Sequence, residues 1–350
     1  MIIIKNKLRT FDKWRREKMR NLEPILYKLV KSKNPTNDSL IERDHIKNII
    51  ILRNNKRIGN VCFWLPFVKQ VRLLYPYAHI TVMLNKESQG EILRNIGIDE
   101  LLYSKFSFKN CIYFLSLLKQ LKFKNYDLIL VPKNSVEDSM ICSFLNGINK
   151  VSSKNIYRNN AYSHTFSPTN KHTHAALTTL YLLEEIGNKL IKPLDHTLNL
   201  TNKEVNSGKK EKSTLCSKAD LTIAFFRGAR GDKRLSNKEW LGIIEKLEVN
   251  YNKKIQWVEI LSPDIKEPLI GSSLTYSNRN MRMLASFLRN MDAFISCDTG
   301  PLHLADAANV RCMGLYNKTD PKIFGLLNKK SIEVDLLTFN ASKILKQISL

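Results

Sequence analysis

The residues most able to do chemistry lie in one run near the carboxyl end, Cys297-Asp298-Thr299-Gly300-Pro301-Leu302-His303-Leu304-Ala305-Asp306-Ala307. The apolar segment Asp292-Ala293-Phe294-Ile295-Ser296 before it predicts a buried parallel strand. After it, Leu302, Leu304, Ala305 and Ala308 fit one helix face, and Pro301 suits a first helical position. Asp298, Thr299 and Gly300 then make a tight strand-to-helix turn whose free N–H groups suit an anion, phosphate above all. Gly300 permits close backbone approach, Thr299 offers a hydroxyl, and His303 sits one turn into the helix. A second candidate is Arg227-Gly228-Ala229-Arg230-Gly231-Asp232-Lys233-Arg234, a glycine-rich loop with three arginines and a lysine, straight after an apolar strand. Ligands of α/β proteins bind at that end of the strands, which favours function over a merely solvated basic loop. Asp-Thr-Gly also occurs in aspartic proteases, but those pair two carboxylates in β-rich lobes. Here a proline-started helix follows within alternating α/β sequence.

The elements that position these residues read as two doubly wound halves. Asn48–Leu52 is the first core strand, and Asn54–Asn60 a polar turn. Val61–Leu74 is a helix ending at Tyr75-Pro76, and His79–Leu84 the next strand. A helix near Glu87–Ile96, a strand near Leu101, a helix Asn110–Leu121, a strand Asp127–Pro132 and a helix near Ser139–Leu145 follow, with a helix His174–Ile186 closing the half. Such alternation predicts a parallel, doubly wound sheet. Thr201–Ser217 is polar and reads as a linker. The second half opens with the strand Leu221–Phe226, then a helix Ser236–Val249 with a capping box at Ser236 and Glu239, a strand Ile255–Leu261 and a helix Met281–Leu288. The expected organisation is an extension over 1–47, a first domain over 48–200, a linker over 201–219 and a second domain over 220–350.

The 350 residues carry 56 Lys and Arg against 32 Asp and Glu, a net charge of +24 that favours polyanionic partners: nucleic acid, anionic membrane or acidic glycolipid. No nucleic-acid-binding signature supports the first of these, so no nucleic-acid partner is expected. Six scattered cysteines without a Cys-x-x-Cys pair point to reduced thiols in a cytoplasm, and His172 and His174 lack a ligand cluster, so no metal is expected. No signal peptide or membrane span is evident. The extension from Lys5 to Lys33 is basic and amphipathic, with Phe11 and Trp14, and fits either an inner-leaflet membrane helix or one packed on the protein's own body.

The Asp298–His303 run, continuing to Thr319-Asp320-Pro321, resembles the carboxyl-terminal signature of family 9 glycosyltransferases, the bacterial lipopolysaccharide heptosyltransferases. Ile58-Gly59 at a helix entrance is similar to that family's amino-terminal signature. The resemblance implies a GT-B fold and inverting, metal-independent, cofactor-free transfer of a sugar, heptose from an ADP-heptose-type donor, onto lipopolysaccharide core or a related anionic glycolipid. It makes Lys233 the donor-phosphate contact beside Arg230, Thr299, Gly300, Pro301, Leu302 and His303, and Asp264 a stand-in for the acidic ribose contact. After Ile-Gly the family carries Asp, at or next to the general base, whereas this chain carries Asn60. An amide cannot take a proton. Either Asp298 or Asp232 substitutes, or the acceptor is activated otherwise, or the chain is a non-catalytic glycan- or nucleotide-binding relative.

Overall fold

The computed structural model describes residues 25 and 39–348, apart from 56, 106–109, 170, 217–219, 266 and 272. The basic stretch expected over Lys5 to Lys33 thus lies outside the described residues, Ile25 excepted.

Two six-stranded sheets are built, both wholly parallel. The first comprises β1 (Asn48–Arg53), β2 (His79–Leu84), β3 (Glu100–Tyr103), β4 (Asn125–Val131), β5 (Asn146–Ser153) and β6 (His164–Phe166), ordered β3-β2-β1-β4-β5-β6. The second comprises β7 (Leu221–Phe226), β8 (Ile255–Ile260), β9 (Leu274–Tyr276), β10 (Ala293–Cys297), β11 (Cys312–Tyr316) and β12 (Ile332–Asp335), ordered β12-β11-β10-β7-β8-β9. Each half repeats one doubly wound order, with its switch point between β1 and β4 or between β7 and β10. The central strands are apolar runs buried on both faces, as parallel strands covered by helices must be: every residue of β7 and β10 is buried. One apolar cluster runs through both halves, joining Ile49, Phe67 and Leu180 to Phe226, Phe287 and Leu302. Two others fill the outer face of each sheet.

Nine helices matter below: α1 (Ile58–Cys62), α2 (Leu65–Leu74), α3 (Cys111–Lys122), α4 (Val136–Phe144), α5 (Asn202–Leu215), α6 (Asn237–Val249), α7 (Met281–Arg289), α8 (Gly300–Ala307) and α9 (Ala341–Ile348). The capping box expected at Ser236 is present, with reciprocal bonds to Glu239. The helix expected over Val61–Leu74 is divided into α1 and α2. Pro66 has no N–H for the ladder and opens a new helix instead of continuing one. The helix expected over His174–Ile186 is confined to Tyr181–Glu185. Its upstream turn is bonded to the second half, Ala175 N–H donating to Ile323 O at 2.7 Å. Strand β5 escapes a reading for apolar runs because Asn149 and Ser152 are buried within it, satisfied by bonds to Ile41, Ser39 and Val131.

The stretch expected as a linker is largely the helix α5, started by a capping box between Thr201 and Glu204. Its apolar periodicity is weak because it packs by close backbone approach at Gly208. A Cβ there would stand 2.4 Å from the backbone C and O of Ser286 in α7. Arg282, almost fully buried, pins this joint: it pairs with Glu204 and donates to Asn199 O at 2.7 Å and to Glu91 O and Arg94 O, both at 3.3 Å. Gly208→Ala should therefore destabilise the protein by about 1–2 kcal/mol, overpacking outweighing the helix-propensity gain. The check is the thermal midpoint; an unchanged or raised midpoint would remove the close packing from the account.

Candidate active site

β10 ends at Cys297, and α8 begins three residues later, at Gly300. Thr299 is extended, at φ −140° and ψ 166°, as the N-cap position requires, yet no side chain caps the helix. Its hydroxyl is instead 2.9 Å from Ser296 Oγ. Pro301 has no N–H, and His303 N–H donates to Thr299 O at 3.3 Å. The N–H groups of Gly300 and Leu302 are therefore the donors left to face an anion at the positive end of α8. The Leu302 side chain is core, so only its backbone can serve.

The turn's charges form a tight cluster. Asp298 and His303 are both buried, and His303 Nε2 lies 2.8 Å from Asp298 Oδ1. Lys233 Nζ pairs with Asp298 Oδ2 and stands 3.5 Å from its carbonyl. Burial alone would raise the Asp298 carboxyl, but the bonds from His303 and Lys233 outweigh it and hold it down at about 2. Lys233 is about a third exposed, so the cation retains an open side. His303 Nδ1 is buried without a partner among the described residues, and the Phe63 ring lies 4.2 Å from the His303 ring.

Phe63 belongs to the other half, and there the two halves meet. The α1 and α8 helices follow β1 and β10, the strands at the two switch points. Their first turns touch: a Cβ on Gly59 would lie 3.3 Å from Gly300 Cα and 3.3 Å from His303 Cδ2. A Cβ at Gly59 would thus crowd the facing turn, while one at Gly300 would lie 3.4 Å from Gly59 N, an ordinary contact. Asn60, next along α1, is half-buried and makes no hydrogen bond among the described residues. The Phe63 ring also meets His174 at 5.5 Å and Phe324 at 6.4 Å, closing an aromatic wall across the seam. Burial lowers the His174 value, though its Nε2 lies 3.2 Å from Gly325 O.

The structure thus gathers Asp298, Lys233, Thr299, Gly300, Pro301 and His303 and sets Gly59-Asn60 against them. Arg230 and Asp264 are exposed in neighbouring loops and make no hydrogen bond among the described residues. The loops touch through Gly228, whose Cβ would lie 3.0 Å from Ile265 Cδ1. Arg227 is used otherwise, pairing with the fully buried Glu259 and donating to Asn237 Oδ1 at 3.1 Å.

Sequence reasoning missed Phe63, His174 and Arg53. Arg53 closes β1 after the apolar run Ile49–Leu52 yet is only 7% exposed, with no hydrogen bond or close ion pair of its side chain among the described residues. Burial lowers its value, opposed by Asp138, whose own carboxyl burial pushes up although Ser135 and Asn54 donate to it. Lys133, just past β4, is lowered by burial and by Arg53, so two cations stand together at the first sheet's switch point. A basic residue ending a core strand was the available signal.

Two doubly wound domains meeting at their switch points over a cationic turn at the start of a helix describe a GT-B architecture. Residues 276–349 match the family model "Glycosyltransferase family 9 (heptosyltransferase)". The chain is 24% identical over 320 residues to the lipopolysaccharide core heptosyltransferase OpsX of Haemophilus influenzae, covering 85% of this chain and 86% of that protein. In fold it is similar to a family 9 glycosyl transferase of Veillonella parvula, with a TM-score of 0.73 and 17% identity over 89% of this chain and 91% of the other. It is also similar to the E. coli heptosyltransferase WaaC solved with ADP, with a TM-score of 0.66 and 16% identity over 86% and 98%. Residues 276–349 thus match the family 9 model, and over most of its length the chain is similar in sequence to one heptosyltransferase and in fold to others. No helix among the described residues is long and apolar enough to cross a membrane.

Proposed function

We propose that this chain transfers heptose from an ADP-heptose-type donor onto lipopolysaccharide core or a related anionic surface glycan, with inversion and without a metal. The carrying observation is the Lys233–Asp298–His303 cluster at the start of α8, faced by Gly59 and Asn60. The names of the relatives, a core heptosyltransferase and an enzyme solved with ADP, support the donor and acceptor classes. In the reaction an acceptor oxygen bonds to the anomeric carbon as that carbon's bond to the diphosphate breaks, and the acceptor hydroxyl gives up its proton to water. Lys233 and the α8 N–H groups stabilise the charge arriving on the diphosphate. Arg53 and Lys133, on the facing domain, suit an anionic acceptor. Asp298 is a poor base, because both its oxygens are engaged and it is held down at about 2. Asn60 can accept a hydrogen bond from the acceptor hydroxyl but cannot take its proton. That amide favours a second reading, a non-catalytic glycan- or nucleotide-binding relative.

Melting curves with ADP, UDP and GDP test the donor site. Binding to the folded state alone adds about 2.7 kcal/mol at a hundredfold excess over Kd. ADP is expected to raise the midpoint in the native chain and not in Gly300→Val. No shift with any nucleotide, or an equal shift in Gly300→Val, overturns the assignment. Turnover of ADP-heptose then separates the enzyme from the non-catalytic relative.

A further inference from the structure

Helix α3 covers the first sheet with one face and leaves the other bare. Leu117, Leu118 and Leu121 point into the core, while Ile112 is 87% exposed, Leu115 58% and Phe123, just past the helix and still αR, 77%. At about 100° per residue, Ile112, Leu115, Lys119 and Phe123 fall on one outward stripe. Single exposed apolar residues are ordinary, but a stripe of three on one helix marks an interaction surface.

The surrounding charge identifies the kind of surface. From Ser104 to Tyr126 the chain holds five lysines and no acidic residue. Lys105 and Lys124 are answered by Glu87 and Glu100. Lys122 lies over the Phe144 ring at 5.2 Å, and Lys119 has no partner among the described residues. A lysine on the apolar stripe itself is unfavourable against another protein's core. At a bilayer surface its stem lies among acyl chains while its ammonium reaches the headgroups. The place in the fold agrees. The chain enters α3 from the carboxyl end of β3, where Ser104 and Lys105 N–H donate to Leu84 and Asn85 O at 2.8 and 3.2 Å. The Ile112 end of the helix therefore lies at the edge of the sheet from which Asn60 emerges.

We infer that α3 is a membrane-docking helix, its Ile112–Leu115–Phe123 stripe entering the interface of an anionic bilayer while Lys119 and Lys122 meet the lipid phosphates. A lipid-linked acceptor gives such docking its purpose. Vesicles without glycolipid, tested without donor, read the docking alone, so failure of sugar transfer and failure of docking are distinguishable.

The test is flotation of the full chain with phosphatidylglycerol–phosphatidylethanolamine vesicles and with pure phosphatidylcholine vesicles, at low and high salt. The native chain should float with the anionic vesicles, more weakly in salt and hardly at all with the neutral ones. Ile112→Ser with Leu115→Ser and Phe123→Ser should weaken binding at least tenfold without shifting the melting temperature, since the replaced groups are exposed. Lys119→Glu, which leaves the apolar stripe intact, should weaken it several-fold and flatten the salt dependence. Docking by α3 is overturned if the native chain ignores anionic vesicles, or if the triple variant and Lys119→Glu both bind them like the native chain. It is equally overturned if the triple variant converts a dimer to a monomer while vesicle binding is unchanged, which would make the stripe a contact between copies.

Discussion

Lys233→Met is expected to lower turnover by about 10²–10³-fold, the scale on which removing one preorganised charge-stabilising donor acts. The ammonium is held in place before any ligand arrives, by a carboxylate that His303 in turn positions. Its open side is free to meet a diphosphate. Methionine keeps most of the stem's volume and removes only the charge, so the loss should fall on kcat as well as on donor affinity. A second readout follows from the carboxyl itself. Asp298 is depressed from 3.8 to about 2, so its contribution to stability is present above the ordinary value and is lost as pH falls through about 2. Without Lys233 the folded-state value rises, and acid unfolding should begin at higher pH in the variant than in the native chain. Native turnover in Lys233→Met would remove the lysine from the chemistry. Lost turnover with an unmoved acid limb would mean that the ion pair contributes nothing to the fold.

What the sequence displayed of this site, and what it hid, divides along a physical line. The turn at Asp298–Gly300 was legible because strand, glycine, proline and helix face are local signals, and Lys233 because a basic loop follows an apolar strand. The fold class was legible from alternation alone. The meeting of Gly59 with Gly300 was not, since it joins residues 241 positions apart through two sheets whose spatial order no local pattern encodes. Phe63 and His174 belong to the same class of long-range contact. The helix α5 was hidden for the opposite reason. Its capping box at Thr201 and Glu204 was in plain view, but a helix that packs through Gly208 and the bonds of Arg282 shows no apolar stripe. Pro66 misled in the same way: inside a continuous apolar period it reads as a tolerated interruption, while the backbone uses it to start a second helix.

Asn60→Asp is expected to raise turnover by about 10²–10⁴-fold, the usual worth of a positioned general base. The position carries the argument. Asn60 follows the glycine whose backbone touches the turn at Gly300, on a helix rising from the switch point of the first sheet. Its amide is half-buried and free of hydrogen bonds among the described residues. Asp and Asn have nearly the same shape, so the exchange adds a proton acceptor without repacking. The new carboxylate would also stand across the seam from Lys233, whose charge favours its ionised form. The gain should therefore persist well below neutral pH. An unchanged rate in an active enzyme would mean that another group takes the proton, with Asp232 the first to replace, since both oxygens of Asp298 are already engaged, by Lys233 and His303. Inactivity of both forms, with ADP still raising the melting midpoint, would favour the non-catalytic nucleotide binder. Asn60→Ala completes the comparison: a large loss from an active native chain means that the amide orients the acceptor hydroxyl, and no loss removes Asn60 from the site.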